Sequence, residues 1–220
     1  MARTDEQIKK DVVDQLYWDN QTDASGVQVM VNRGNVTLSG VVPTYAARKA
    51  AVNDAWMVPG VRSVLDQLLV RYTVEVPPDD QVERQVTGAL IENPDIPSED
   101  IRVTVNAGLV TMEGTVDVYW KKLLAEDLPA TIPGVLNIRN TIAVVPTQAP
   151  GDEEIARQVV RTLDRSEPGL VEAVTVQVTG GVVTLTGMVP DRVTRLSAEE
   201  KAAHIAGVVE VENQLVVETG

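Results

Sequence analysis

Gly34-Asn-Val-Thr-Leu-Ser-Gly40 recurs as Gly108-Leu-Val-Thr-Met-Glu-Gly114 and again as Gly181-Val-Val-Thr-Leu-Thr-Gly187, at offsets of 74 and 73 residues. The same offsets carry Ile8 to Val82 and Ile155, Val12 to Val86 and Val159, Leu16 to Leu90 and Leu163, and Val27 to Ile101 and Val174. Gly60 maps to Gly134 and Gly207, and each glycine is followed by the same apolar spacing: Val61, Val64, Leu68 and Val70 in the first copy, Val135, Ile138, Ile142 and Val144 in the second, Val208, Val211, Leu215 and Val217 in the third. Matches along the whole unit at a nearly constant offset make the chain a tandem repeat of three modules. We place them at residues 1–74, 79–145 and 152–218.

The spacing by four of Ile8, Val12 and Leu16 is one stripe of a helix. Thr4 or Asp5 is placed to cap it, with Asp79 or Asp80 and Asp152 in the equivalent positions. Val27, Val29 and Val31 alternate, as do Ile101, Val103, Val105 and Val174, Val176, Val178, which predicts a strand with one buried face. Asn32-Arg33-Gly34, Asn106-Ala107-Gly108 and Thr179-Gly180-Gly181 then reverse the chain, because Gly and Asn tolerate the positive φ of a tight hairpin. About twenty residues separate Gly40 from Gly60, room for a second helix with Ala47, Ala51 and Ala55 inward and a left-handed cap at the glycine. A last apolar strand closes the unit. The fold class is α+β: three tandem αββαβ modules, each with two helices packed on one face of a three-stranded mixed sheet.

Composition narrows the function. The chain has 220 residues, a net charge of −13 and no cysteine. Such an acidic surface does not suit duplex nucleic acid, whose phosphates need clustered Lys and Arg. The lack of cysteine excludes disulfides, thiolate chemistry and cysteine zinc sites. No Phe is present and aromatics make up 3% of residues, so the cores are aliphatic, and Trp18 and Trp56 are expected to fill that core rather than act as interfacial anchors. His204 stands alone as a histidine, and a nucleophile without a positioned base is inert. No catalytic residue, cofactor or metal ligand set is indicated, and Gly180-Gly181 belongs to a hairpin, not to a phosphate loop between strand and helix. No segment reads as a signal peptide or a membrane span, so a cytoplasmic protein is expected, or a periplasmic one if a signal peptide has been removed.

The Gly-x-Val-Thr-Leu-x-Gly hairpin strand, the Gly-Val pair twenty residues on and the closing Val-x-x-Val-x-x-x-Leu-x-Val strand resemble the BON domain (bacterial OsmY and nodulation). The resemblance covers nearly the whole chain, three times. It implies a bacterial, non-catalytic module of osmotic and envelope stress that contacts phospholipid. Some relatives resemble potassium sensors, which gives a monovalent cation bound by carboxylates and backbone carbonyls as the alternative. A protein partner or a homo-oligomer is the other expectation, since modules of this size bury thin cores.

Basic and aromatic residues recur at the start of the second helix: Tyr45, Arg48 and Lys49, then Tyr119, Trp120, Lys121 and Lys122, then Arg192 and Arg195. They are the candidate ligand-binding residues, set against ordinary decoration of an amphipathic helix. Each contact with anionic lipid contributes on the order of 1 kcal/mol, so only linked modules make such contacts useful. Residues 1–76 carry a net −1, against −6 for each of 77–149 and 150–220, and the first copy is the one expected to approach a membrane. The Pro-containing links Val74-Glu75-Val76-Pro77-Pro78 and Val145-Pro146-Thr147-Gln148-Ala149-Pro150-Gly151 reach only about 15 to 20 Å at about 3.1 Å per residue, so the modules must be close neighbours.

Overall fold

The computed structural model describes residues 3–19, 24–72, 75–148, 150–166 and 169–217; the link residues Val74 and Ala149 lie outside them. The first module runs α1 (Asp5–Trp18), β1 (Val27–Asn32), β2 (Asn35–Val42), α2 (Tyr45–Met57) and β3 (Ser63–Val70). The second repeats this as α3 (Asp79–Glu92), β4 (Ile101–Asn106), β5 (Leu109–Val116), α4 (Tyr119–Asp127) and β6 (Asn137–Val144). The third has α5 (Asp152–Ser166), a single turn α6 (Leu170–Ala173), β7 (Val174–Thr179), β8 (Val182–Val189), α7 (Arg192–Ala203) and β9 (Glu210–Val217). In each sheet the hairpin is antiparallel and its second strand pairs in parallel with the last one. The α+β, αββαβ reading holds for all three copies.

Each core is the one the periodicity marks. Ile8, Val12 and Leu16 are buried with Val29, Val36, Leu38, Val42, Ala47, Ala51, Ala55 and Leu68, and the equivalent residues line the other two, except that Lys121 and Thr194 stand in place of Ala47. The second copy departs in its second helix. α4 ends at Asp127 and finishes as a 3-10 turn over Leu128–Thr131, because Pro129 has no amide to continue the helical bonding.

The first-helix aspartates are not the caps. Thr4 caps α1 in a reciprocal pair with Gln7, its hydroxyl accepting from the Gln7 amide and its own amide donating to the Gln7 side chain. Pro78 occupies that position in the second copy, where Asp79 is the first helical residue. Asp5 instead accepts from the amides of Arg33 and Gly34, at 2.7 and 2.9 Å. Asp79 does the same for Ala107 and Gly108 at 2.7 and 3.0 Å, and Asp152 for Gly180 and Gly181 at 2.8 and 3.0 Å. All six donors sit at positive φ, as a type I′ turn requires. Those two backbone amides hold the Asp5 carboxyl below its ordinary value.

Gly60, Gly134 and Gly207 also have positive φ, but they lie beyond the helix ends, where the caps are Val58, Ile132 and His204. The tighter constraint is at Gly40, Gly114 and Gly187. A Cβ there would stand 2.0, 1.9 and 2.0 Å from the carbonyl oxygens of Gly26, Asp100 and Ala173, at φ of 116°, 143° and 135°.

The modules close on one another. Along the chain α2 touches the 3-10 turn after α4, α4 touches α7, and α7 returns to α2. Three seams therefore make a ring, although only two peptide links join the modules. Tyr45, the first residue of α2, is buried in the core of the second module, which contains Ala130. Tyr119, first in α4, packs against the core of the third, which contains Ala203. The Tyr72 hydroxyl adds a tie from the first module to the second, donating toward the carbonyls of Ile132 and Val135 at 3.2 and 3.3 Å.

Gly114→Ala combines left-handed strain with a backbone overlap and should cost about 2 kcal/mol or more. Gly88→Ala, inside α3 with nothing within 4 Å of the added Cβ, should gain up to about 1 kcal/mol; chemical denaturation of both variants compares them directly, and a neutral Gly114→Ala removes the crowding argument. Tyr45→Ala should cost about 3 kcal/mol and separate unfolding of the first module from the rest. Calorimetry should then show a split transition, whereas a single unshifted peak would mean that the seam contributes nothing to cooperativity.

Candidate functional site

Of the nine basic and aromatic residues at the start of the second helices, Tyr45, Lys49, Tyr119, Trp120, Arg192 and Arg195 lie at the seams, and Arg48, Lys121 and Lys122 bond within their own modules. Tyr45 and Arg192 are buried, and Arg48, Lys49, Tyr119, Trp120, Lys121, Lys122 and Arg195 are partly exposed. Tyr45, Tyr119 and Arg192 are one repeat position, so the residue that enters the neighbouring module is Tyr twice and Arg once. One position of the receiving module varies in the opposite sense: Ala130 and Ala203 in the cores that receive a tyrosine, Trp56 under Arg192 in the module that receives an arginine. Burial pushes the hydroxyls of Tyr45 and Tyr119 above their ordinary values, with Glu126 and Glu210, respectively, as the next contributors.

Arg48 stays within its own module. Its Nε donates to Asp66 Oδ2 on β3 at 2.7 Å, and Asp66 Oδ1 accepts from the Leu68 amide at 2.9 Å. Asn140 and Asn213 occupy the same strand position. Each accepts from the amide two residues on and donates to a helix-two carbonyl, Asn140 to Lys122 at 2.9 Å and Asn213 to Arg195 at 3.0 Å. Lys49 pairs with Asp127 across the first seam. Lys121 pairs with Asp117 at 2.8 Å and draws that carboxyl down. Lys122 makes no ion pair among the described residues.

Trp120 stacks on His204 across the second seam, centroids 5.3 Å apart and planes 6° from parallel. At the third seam the guanidinium carbons of Arg192 and Arg195 each lie 5.1 Å from the centre of the Trp56 ring. Arg195 also donates to the carbonyls of Leu215 and Asn213, at 3.0 and 2.9 Å. Arg192 is 7% exposed, and its Nε and Nη1 are sealed from solvent with no acceptor. Desolvation first, then the charge of Arg195, lowers its pKa to about 10, so it is a cation at neutral pH.

Trp56 therefore joins the first core to the seam, as expected of a core residue only in part. Trp18 corrects the expectation outright: it is 78% exposed at the end of α1, in edge contact with Tyr17. Its place past the last buried residue of the helix stripe, Leu16, turns it away from the sheet. Sequence reasoning singled out neither Trp56 nor Tyr72 as seam residues. The signal available was the exchange of size between the Tyr/Tyr/Arg position and the Trp/Ala/Ala position.

The other differentiated surface is the sheet face turned away from the helices. In the first module it carries Gln28, Met30, Thr37, Ser39, Val41, Leu65, Gln67 and Leu69, without a charge. Arg102, Glu113 and Arg139 stand on the equivalent face of the second module, and Glu212 on that of the third. Met30, Leu65 and Leu69 are 61%, 54% and 64% exposed. Among the described residues, no group of three or more His, Cys, Asp or Glu converges and no helix is long and apolar enough to cross a membrane.

Comparison with known proteins agrees with the repeat. The BON domain model matches residues 4–72, 78–146 and 151–219. The chain is similar to Osmotically-inducible protein Y of Escherichia coli (strain K12), 30% identical over 124 residues; the match takes in 54% of this chain and 62% of that protein, so it spans less than two thirds of the relative's length. Among solved structures, the C-terminal domain of CdsD, the structural protein of the Type III secretion system of Chlamydia trachomatis, is 18% identical with a TM-score of 0.27, covering 95% of this chain and 96% of that one. The PrgH periplasmic domain is 14% identical with a TM-score of 0.21, covering 94% and 99%. Three family matches that fall on the three αββαβ units, and together take in most of the sequence, show that the chain belongs to the BON domain family and carries that domain in three copies.

Proposed function

We propose that the chain is a non-catalytic binding protein of osmotic or envelope stress, a ring of BON modules that contacts phospholipid surfaces or partner proteins. The family and the similarity to an osmotically inducible protein support the stress setting. A place in the cytoplasm or periplasm fits this reading equally.

The observation that carries the binding role is the uncharged outer sheet face of the first module. Covering a charged face means stripping water from its ions, whereas Met30, Leu65 and Leu69 gain from leaving water, by about 1.5 to 3 kcal/mol for each side chain fully covered. This module also has the least negative charge of the three, so it meets the least repulsion at an anionic surface. Of the basic residues of the second helices, Lys49, Arg192 and Arg195 are engaged at the seams and Arg48 and Lys121 in ion pairs within their own modules, so they do not carry this contact.

Flotation of the whole chain with phosphatidylglycerol vesicles tests the reading. Met30→Gln and Leu65→Glu introduce the residues that the third module carries at those positions, Gln177 and Glu212, so the fold should tolerate them. The double variant should lose vesicle binding by tenfold or more with an unchanged circular dichroism spectrum. Equal flotation of variant and parent would remove the face from the contact, and no flotation of the parent would turn the reading to a protein partner. Repeating the unfolding measurement in sodium and potassium chloride at equal ionic strength addresses the cation alternative.

A further inference from the structure

We propose that the third seam is a binding site for a small oxyanion, a carboxylate or phosphate group held by Arg192 and Arg195 against Trp56. The seam departs from the other two at the residue that makes them. Where Tyr45 and Tyr119 offer an apolar ring that packs on a neighbour's core, the third module inserts a guanidinium. Burying a cation is costly unless an opposite charge and hydrogen bonds replace its water. Here two of its nitrogens have no acceptor. The Trp56 ring supplies a cation–π contact, which recovers part of the lost hydration but accepts no hydrogen bond in the guanidinium plane.

Two carboxylates beside Arg192, one adjacent in sequence and one acting on its charge, are otherwise engaged. Asp191 caps α7 by accepting from the Thr194 amide at 2.8 Å, and Glu199 accepts from Asn213 Nδ2 at 2.8 Å. Both attract Arg192 or flank it, yet neither is hydrogen-bonded to it. Arg195 brings a second positive charge to the same ring. Arg192 and Arg195 line, with Trp56, Pro59, Pro190 and Val217, a small cavity of about 70 Å³, and Trp56 and Arg195 also border a wider one of about 390 Å³ with Arg62, Met188 and Val216, which Arg192 does not line. Three arginines thus gather at one junction of a chain whose net charge is −13, and none of the three belongs to an ion pair among the described residues. A planar or tetrahedral oxyanion matches the guanidinium fork in charge and geometry, and binding it would tie the third module to the first.

The test is thermal unfolding of the full chain in sodium phosphate, sodium acetate and sodium chloride at one pH and ionic strength, with a further arm of phosphatidylglycerol vesicles in chloride. A ligand that binds only the closed, folded ring raises the midpoint. The expected result is a higher midpoint in phosphate or acetate than in chloride, with a change in tryptophan emission over the same concentration range. Arg192→Met should abolish both responses. The double variant Trp56→Ala, Arg192→Tyr rebuilds the Tyr-with-Ala pairing of the other seams, so it should unfold cooperatively in chloride and be indifferent to either anion. No rise for the unaltered chain, or an equal rise in both variants, overturns the site. A response to vesicles with none to free phosphate or acetate overturns its assignment to a free oxyanion.

Discussion

The carboxylates of Asp5, Asp79 and Asp152 each gather two backbone amides at the tip of a hairpin, and the module is organised around that contact. A turn with two residues at positive φ is strained when the first is arginine or alanine, as in two of the three copies. The carboxylate offsets the strain by satisfying two donors that the tight turn leaves pointing outward. It also fixes the start of the first helix over the hairpin, so the stripe Ile8, Val12, Leu16 and its repeats descend onto the strands in one register. A one-residue slip would turn the valines of the hairpin away from the helices.

From that unit upward, the arrangement follows from surface left over. Two helices cover one face of each sheet, and the second helix retains an uncovered flank. Joining three such units in a ring gives each flank a neighbour. The protein reaches the size of a respectable core by addition, without a large aromatic side chain at the centre of any module. Five of the seven aromatic residues, Tyr45, Trp56, Tyr72, Tyr119 and Trp120, stand instead between modules, where a broad ring can bridge two aliphatic cores.

Most of the module was legible from the sequence, because its determinants are local and repeated. Three copies of one spacing fixed helix, hairpin, helix and closing strand together. What could not be read were the relations that cross from copy to copy. Tyr45 and Lys49 look like the exposed start of an amphipathic helix until the second module is placed beside them. Trp18 was misplaced because aromatic scarcity argues for burial in general but says nothing about which flank of a helix a residue occupies. The aspartate assignments failed on a finer point. Thr4 and Asp5 are adjacent cap formers, and only the hairpin, 28 residues on in sequence, decides that the carboxylate serves another purpose. Pro129 did carry a readable signal, a helix that must stop early in one copy.

The ring has three interfaces and two peptide links, and the unequal count has a kinetic meaning. The first and second interfaces form between tethered neighbours, at the high effective concentration that a short proline-containing link imposes. The last one forms between the two ends of the assembly, and its local concentration exists only while the other two are made. Opening of the protein therefore has a preferred order: the junction of Trp56 with Arg192 and Arg195 parts first, as a latch does, and it can part without unfolding any module.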